Sequence, residues 1–335
     1  MAVLVCGGAG YIGSFCVREL KKAGYECIVY DNLSEGHRSA VNGFTLIEGD
    51  LLESVKLGQV FSNYNIEGVI HFAAFALVGE SMKTPVKYYE NNLSGTVNLV
   101  KEMEKAKVKN IIFSSTCAVY GETTQIPINE ETAVNPCNPY GQTKLAVEQF
   151  LRWCDIAYGT KSVCLRYFNA AGAAEDGSIG EDHLLETHLI PLIYRVALGQ
   201  SEKIHIFGGD YATPDGSCIR DYIHVKDLAG AHVKALNYLT GGGNSQVLNL
   251  GTGKGVSVLE MINAAKKITG KDIPYDITAR REGDPAELVA SCEKAKNVLG
   301  WEAAYSGIET ILSDAWLWHS THPNGYGDRA NTKSV

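Results

Sequence analysis

No stretch of the 335-residue sequence approaches the ~20 consecutive apolar residues that a membrane-spanning helix requires. Basic runs are absent too, and the formal net charge is −8. Binding DNA or RNA needs clustered Lys and Arg to neutralise phosphates, so nucleic acid is an unfavourable partner. A small anionic ligand stays admissible if the site supplies local positive charge. The nine cysteines contain no CxxC pair and no zinc spacing, so no metal is expected. Ala2–Cys6 is too short for the apolar region of a signal peptide, and glycines follow it at once. An odd cysteine count without an export signal reads as reduced thiols in the cytoplasm, most of them buried as small hydrophobes. Internal repeats and low-complexity tracts are also missing.

What is present is an ordinary globular composition, 45% hydrophobic and 20% charged. The length exceeds the ~250–300 residues at which a single core stops growing, which favours two domains. Short β-rich runs at Ala2–Cys6, Glu26–Asp31, 44–50, 68–73, 110–115 and 162–169 alternate with helical patterns such as 88–106 and Pro139–Tyr158. That alternation predicts an α/β fold, a Rossmann-type doubly wound parallel sheet with helices on both faces. Beyond 169 a long loop over 170–186 leads to a helix near 186–198, a strand at Ile204–Phe207 and a polar loop over 208–217. Further strands fall at 220–225 and Gln246–Leu250, around a helix from Lys226. The expected division is a nucleotide-binding domain over 1–172, with 222–251 packing back onto it, and a smaller α/β substrate domain over 173–335. The last ten or so residues are polar and are expected to be disordered.

Gly7-x-x-Gly10-x-x-Gly13 lies between a strand and a helix. Glycines there allow a tight turn and close backbone approach to a pyrophosphate at the helix N-terminus. The spacing departs from GxGxxG, so its position after the first strand carries the reading. Asp31 ends the second strand, where an acid accepts hydrogen bonds from ribose hydroxyls and repels a 2′-phosphate, favouring NAD over NADP. Arg38 is the one nearby cation that argues the other way. Asp50 and Leu51 close the third strand, either at an adenine or as a solvated strand end.

The pattern YxxxK occurs twice, at Tyr140/Lys144 and Tyr222/Lys226. Asn138-Pro139 marks a helix start, so Tyr140 and Lys144 share one helical face about 6 Å apart in rise. Tyr222 falls in a β-like run, where four residues span about 13 Å. The chemistry is therefore assigned to the first pair. A phenol with a pKa near ~10 is a poor base, but a neighbouring ammonium and an oxidised nicotinamide both favour the phenolate. Tyr140 then takes a hydroxyl proton while the carbon loses hydride. Thr116 ends the strand aimed at this point and either bonds the same oxygen or caps the next turn.

These runs resemble the NAD-dependent epimerase/dehydratase branch of the extended short-chain dehydrogenase/reductase family, and within it the UDP-hexose 4-epimerases. The glycine loop with Tyr11 and Ile12, Asp31-Asn32-Leu33-Ser34 and His71-Phe72-Ala73-Ala74 carry the likeness. So do 114–121, Pro139-Tyr140-Gly141-x-x-Lys144, Arg166-Tyr167-Phe168-Asn169 and 220–225. Arg280-Arg281-Glu282-Gly283-Asp284 and His322-Pro323-x-Gly325-Tyr326 complete it. The likeness implies reversible interconversion of UDP-galactose and UDP-glucose, with C4 hydride abstraction to tightly bound NAD, rotation of a 4-keto sugar and hydride return. It implies Tyr140, Lys144 and Thr116 as catalytic residues. Gly7, Gly10, Tyr11, Ile12, Gly13, Asp31, Asn32, Ser34, Gly36, Asp50, Leu51, Phe72, Ala73, Ala74, Asn91 and Phe168 fall at cofactor contacts. Asn169, His188, Leu189, His205, Phe207, Leu288, the diphosphate pair Arg220 and Arg281, and Asp284 at a uridine ribose fall at substrate contacts. A homodimer through helices near 88–106 and Pro139–Tyr158 is implied as well.

Three positions depart from the pattern. Ala76 stands where many relatives have Lys, and His188 where some have Asn. Leu288 stands where a Tyr restricts some relatives and small residues admit N-acetyl sugars. Weak activity on UDP-GlcNAc is the expectation. A UDP-GlcNAc/GalNAc or UDP-pentose epimerase and a non-enzymatic NAD(H)-binding regulator are the alternatives. A 4,6-dehydratase needs an Asp-Glu pair after the Thr, and here Cys117-Ala118 follows.

Overall fold

The computed structural model describes residues 2–281 and 284–328. Its centre is a seven-stranded parallel sheet. From edge to edge the strands are Gln246–Leu250, Lys161–Tyr167, Asn110–Thr116, Ile66–His71, Ala2–Cys6, Glu26–Asp31 and Thr45–Glu48. Ala2–Cys6 is buried along its whole length, as expected of a parallel strand covered by helices on both faces. One face packs on the helices Tyr11–Lys22 and Val225–Thr240, through residues such as Val3, Val5, Leu20, Leu228 and Leu236. The other packs on Ser54–Asn63, Gly95–Lys105 and Pro139–Tyr158, through Leu4, Leu57, Leu99 and Leu151.

The chain runs outward from Ala2–Cys6 to Glu26–Asp31 and Thr45–Glu48, then crosses back to Ile66–His71 on the other side. The order therefore reverses between Ala2–Cys6 and Ile66–His71, and the crevice at their carboxyl ends is where open α/β sheets bind ligands. There the amides of Phe72 and Ala73 donate to Cys6 O at 2.8 and 3.1 Å. A third core joins the helices Leu189–Ala197, Val258–Thr269 and Ile308–Thr321 to the strand Ile204–Phe207, which pairs in parallel with Tyr275–Thr278.

Three expectations need correction. The helix expected over 88–106 is present but is not uniformly α-helical. A short helix Pro85–Tyr88 passes through a wide, π-type turn at Tyr89–Ser94 before Gly95–Lys105 begins. Within that turn Asn92 accepts from Phe75 N and donates to Phe75 O and Thr143 Oγ1, so a side chain anchored to a neighbouring loop accompanies the widened ladder. The strand expected over 162–169 stops at Tyr167. Asn169–Ala171 instead pairs in parallel with Tyr222–His224, led by Asn169 N donating to Asp221 O. The tail expected to be disordered is packed as far as Asp328: Asp328 accepts from Ser39 N and Oγ, and Tyr326 stacks on His37 at 4.4 Å. The rest of that expectation, 329–335, lies outside the described residues. No helix among the described residues is long and apolar enough to cross a membrane.

Candidate functional site

The nucleotide end begins at the turn after Ala2–Cys6. A Cβ on Gly7, whose φ is +76°, would sit 2.5 Å from Ala73 N. One on Gly13 would sit 2.2 Å from Gly7 O, so only glycine lets the helix Tyr11–Lys22 start against this turn. Gly10 is the residue before that helix; no side chain caps the helix and its first turn carries no acid. Tyr11 donates to Gly172 O at 2.6 Å, joining the loop to the second half of the chain. Ile12 packs partly buried against the first core.

Asp31 is buried, and its two oxygens accept from Ala9 N and Leu33 N at 2.9 and 2.8 Å. Burial pushes its carboxyl upward and those two amides pull it back. Each oxygen has further lone pairs for a ribose hydroxyl. Arg38 faces Glu48 at 2.5 Å and not Asp31. Asn32 donates to Asp50 and accepts from Ser34 N and Oγ, so the ends of the second and third strands are tied together. Gly36 lies beside the Asp31 carboxylate, and Leu51 is buried in the second core. Phe72 packs at 4.6 Å on His232, Ala74 follows Ala73 at the crevice, and Asn91 donates to Asn92. Ala76 is exposed.

The catalytic candidates converge. Asn138 accepts from Gly141 N and starts Pro139–Tyr158 with Pro in its first turn. This places Tyr140 and Lys144 one turn apart, both buried. Lys144 Nζ donates to Ser114 O at 2.8 Å and lies 4.9 Å from the Phe113 ring centroid and 5.9 Å from that of Tyr140. Burial holds Lys144 down to about 7, while Glu148 pulls it up. Burial likewise drives Tyr140 well above the usual phenol range, and the Thr116 hydroxyl acts against that rise. Thr116 Oγ1 also accepts from Ala118 N at 3.1 Å, so the capping role foreseen for it is real and coexists with its place beside Tyr140. The second pair is apart: Tyr222 is buried in its strand, and Lys226 reaches out to Glu175 at 3.0 Å.

The remaining substrate candidates come from the second half of the chain. Phe168 and Leu288 share one small core cluster with Tyr120, and Leu288 lies level with Arg220 across a parallel strand pair. Arg220 donates to Asp284 and to Ile219 O. Arg281 lies over the Phe207 ring, 3.8 Å from its centroid. Arg281 and Asp284 line one open groove together with Glu122, Thr123 and Glu287. Glu282 and Gly283 of the same motif lie outside the described residues. His205 pairs with Asp276 on the adjoining strand at 2.5 Å. His188 precedes the helix Leu189–Ala197 and faces Glu181 and Glu186.

Sequence reasoning passed over a buried network beneath Lys144. Glu148 takes hydrogen bonds from Ser115 Oγ at 2.5 Å and from Arg166 Nε and Nη2 at 2.9 and 2.5 Å. An acid four residues after Lys144 on the same helical face was the available signal. His71, between Phe113 and Thr96, was passed over too: burial and then the Lys144 charge lower it to about 3, so it is neutral.

Residues 3–251 match the family model described as the NAD dependent epimerase/dehydratase family. The chain is 54% identical to the UDP-glucose 4-epimerase of Halalkalibacterium halodurans, over 99% of this chain and all of that one. Among solved structures, the UDP-glucose 4-epimerase of Brucella ovis in complex with NAD superposes with a TM-score of 0.92 at 48% identity, covering 94% of this chain and 97% of that one. That of Bifidobacterium longum in complex with NAD+ and UDP also gives 0.92, at 41% identity, covering 97% and 100%.

Proposed function

The chain belongs to the NAD dependent epimerase/dehydratase family, and from that premise we propose that it interconverts UDP-galactose and UDP-glucose through reversible oxidation at C4. The observation that carries this reading is the buried Tyr140–Lys144 pair over the carboxyl end of the strand that finishes at Thr116. The residues at the nucleotide end fit NAD: a glycine cradle that a Cβ would fill, an uncapped helix N-terminus for a pyrophosphate, and Asp31 for ribose hydroxyls. Arg38 faces Glu48 and not Asp31, which weighs against a 2′-phosphate there. Bound NAD supplies the hydride acceptor and donor at C4 and, when oxidised, a positive charge that favours the Tyr140 phenolate.

Tyr140 takes and returns the C4 hydroxyl proton, with the Lys144 ammonium stabilising the phenolate and Thr116 bonding the same oxygen. Phe168 closes the cofactor side and Asn169 meets the sugar nucleotide, with His188 and Leu189 at the helix start beside it. Arg220 and Arg281 match the diphosphate, because planar guanidinium forks fit phosphate oxygens. Asp284, already on Arg220, serves a ribose hydroxyl, and His205 and Phe207 flank the base. The diphosphate is the pivot about which the 4-keto sugar turns, and Leu288 beside Phe168 limits what the sugar ring carries. A side chain smaller than Tyr supports weak acceptance of UDP-GlcNAc. The Tyr–Lys pair weighs against a cofactor-binding regulator, and Cys117-Ala118 against a dehydratase.

The same proposal divides the chain at 172/173, with support from Gln246–Leu250 joining the large sheet and Val225–Thr240 packing on its face. It takes the enzyme to act as a cytoplasmic homodimer. Support for the dimer comes from apolar side chains left exposed near the two helices named for it: Val86, Tyr89 and Val97, and Trp153 and Ile156. The test is turnover of UDP-galactose to UDP-glucose by purified protein without added NAD. Tyr140→Phe is expected to lose about 10²–10⁴-fold in kcat while still binding UDP. Absence of wild-type turnover with NAD added, on UDP-GlcNAc and UDP-pentoses as well, overturns the proposal.

A further inference from the structure

Four side chains in the segment that leads into the helix Leu189–Ala197 converge without a role in the proton chemistry. Glu181, His183, Glu186 and His188 each bring one donor atom to a cluster in which all four lie within 4.8 Å of one another. His183 Nδ1 is 3.4 Å from Glu181 Oε1 and 3.3 Å from Glu186 Oε2. His188 Nδ1 is 3.0 Å from Glu181 Oε1 and 2.8 Å from Glu186 Oε1. A tetrahedral ion with bonds of about 2.0–2.1 Å holds its ligand atoms about 3.3 Å apart. The four His–carboxylate separations are within about 0.5 Å of that, and the widest separation the cluster allows, 4.8 Å, closes by about 1.5 Å to enclose one.

We propose that Glu181, His183, Glu186 and His188 form a binding site for one divalent transition-metal ion of the zinc, cobalt or nickel class. Two imidazole nitrogens with two carboxylates suit those ions better than magnesium or calcium, which favour all-oxygen shells. Both carboxylates are buried, and buried charge requires compensation. One divalent ion with two neutral rings neutralises the cluster. The surroundings are built to hold it. The amides of Thr187 and His188 donate to Glu186 Oε1 at 2.8 and 2.7 Å, and Trp318 Nε1 donates to the main chain of Glu181. The His183 ring meets Tyr11 edge-on at 6.3 Å. The ion would thus pin this segment against the glycine loop, a structural role that engages His188 through Nδ1 next to the place proposed for it at the sugar nucleotide.

The experiment uses holoenzyme freed of adventitious metal by chelation, titrated with Co²⁺ alone and followed by the visible absorption of four-coordinate cobalt, with Zn²⁺ competition and anomalous diffraction at the zinc edge. The expected result is one ion per chain, with density between the four side chains. Glu181→Gln and His183→Asn are each expected to weaken binding by at least about tenfold, and Cys137→Ala, at an exposed thiol, to leave it unchanged. No cobalt spectrum in the wild type, or zinc density elsewhere, overturns the site. So does binding unaffected by Glu181→Gln or His183→Asn. These readouts need no turnover, so they stand or fall apart from the activity assay.

Discussion

The Glu148–Arg166 pair offers the sharpest test of how the reaction centre is supported. Both side chains are nearly inaccessible, at 5% and 7% exposure. Burial acts to lower the Arg166 guanidinium, and the Glu148 carboxylate more than reverses it. Removing one member of such a pair leaves a buried charge without compensation, which costs about 3–5 kcal/mol. For a chain of this size about 2 °C accompanies each kcal/mol, so Glu148→Gln is expected to lower Tm by about 6–10 °C. Replacing both partners, as Glu148→Met with Arg166→Met, removes the two desolvation terms together and is expected to return to within about 2 kcal/mol of the wild type. The assay is thermal and urea unfolding of the holoenzyme for Glu148→Gln, for the single variants Glu148→Met and Arg166→Met, and for the double variant. It yields the interaction energy as a double-mutant cycle, expected at about 2 kcal/mol or more. A Tm change under about 2 °C in Glu148→Gln, or a double variant equal to the sum of the singles, would refute the reasoning. Ser115, the third member, adjoins Thr116, so a loosened pair also reaches the catalytic strand end.

Three further outcomes follow from the same geometry. Because burial lowers Lys144 to about 7, its ammonium is present below that pH and lost above it. Removing Glu148, which raises Lys144, moves the basic limb of the kcat/KM profile to lower pH in Glu148→Gln; an unmoved limb refutes the link. Leu288→Tyr is expected to cut kcat/KM for UDP-GlcNAc roughly 10–200-fold while sparing UDP-galactose, since crowding one substituent is worth about that much; equal losses on both substrates refute the gate. Trp153→Glu, at a side chain 67% exposed, is expected to weaken a dimer by about 2 kcal/mol or more in sedimentation equilibrium. A wild type that sediments as a monomer removes the dimer altogether.

The parts of this protein that were legible in its sequence are those whose signal is local. The alternation of apolar runs with helical periods placed the sheet, because parallel strands buried on both faces must be apolar throughout, as Ala2–Cys6 is. Asn138-Pro139 fixed the start of the helix that separates the two YxxxK patterns, because a cap and a first-turn proline act within one turn. What escaped depends on partners far apart in the chain. His37 carries no signal in its own stretch of sequence, and Asp328 and Asp182 close around it from 291 and 145 residues away. The widened turn at Tyr89–Ser94 is tied through Asn92 to Phe75 and Thr143, which no periodicity within the turn reveals. The cluster at Glu181, His183, Glu186 and His188 gives no sequence signal as a unit, because a Glu/His run near a polar loop ordinarily reads as solvated, and His188 alone stands out there, as a substrate contact. Only the fold shows both glutamates buried against the two rings. Local signals thus marked the Tyr140–Lys144 pair as the candidate, while the Glu148–Arg166 pair beneath it and the cluster in the 181–188 segment are set by tertiary contacts.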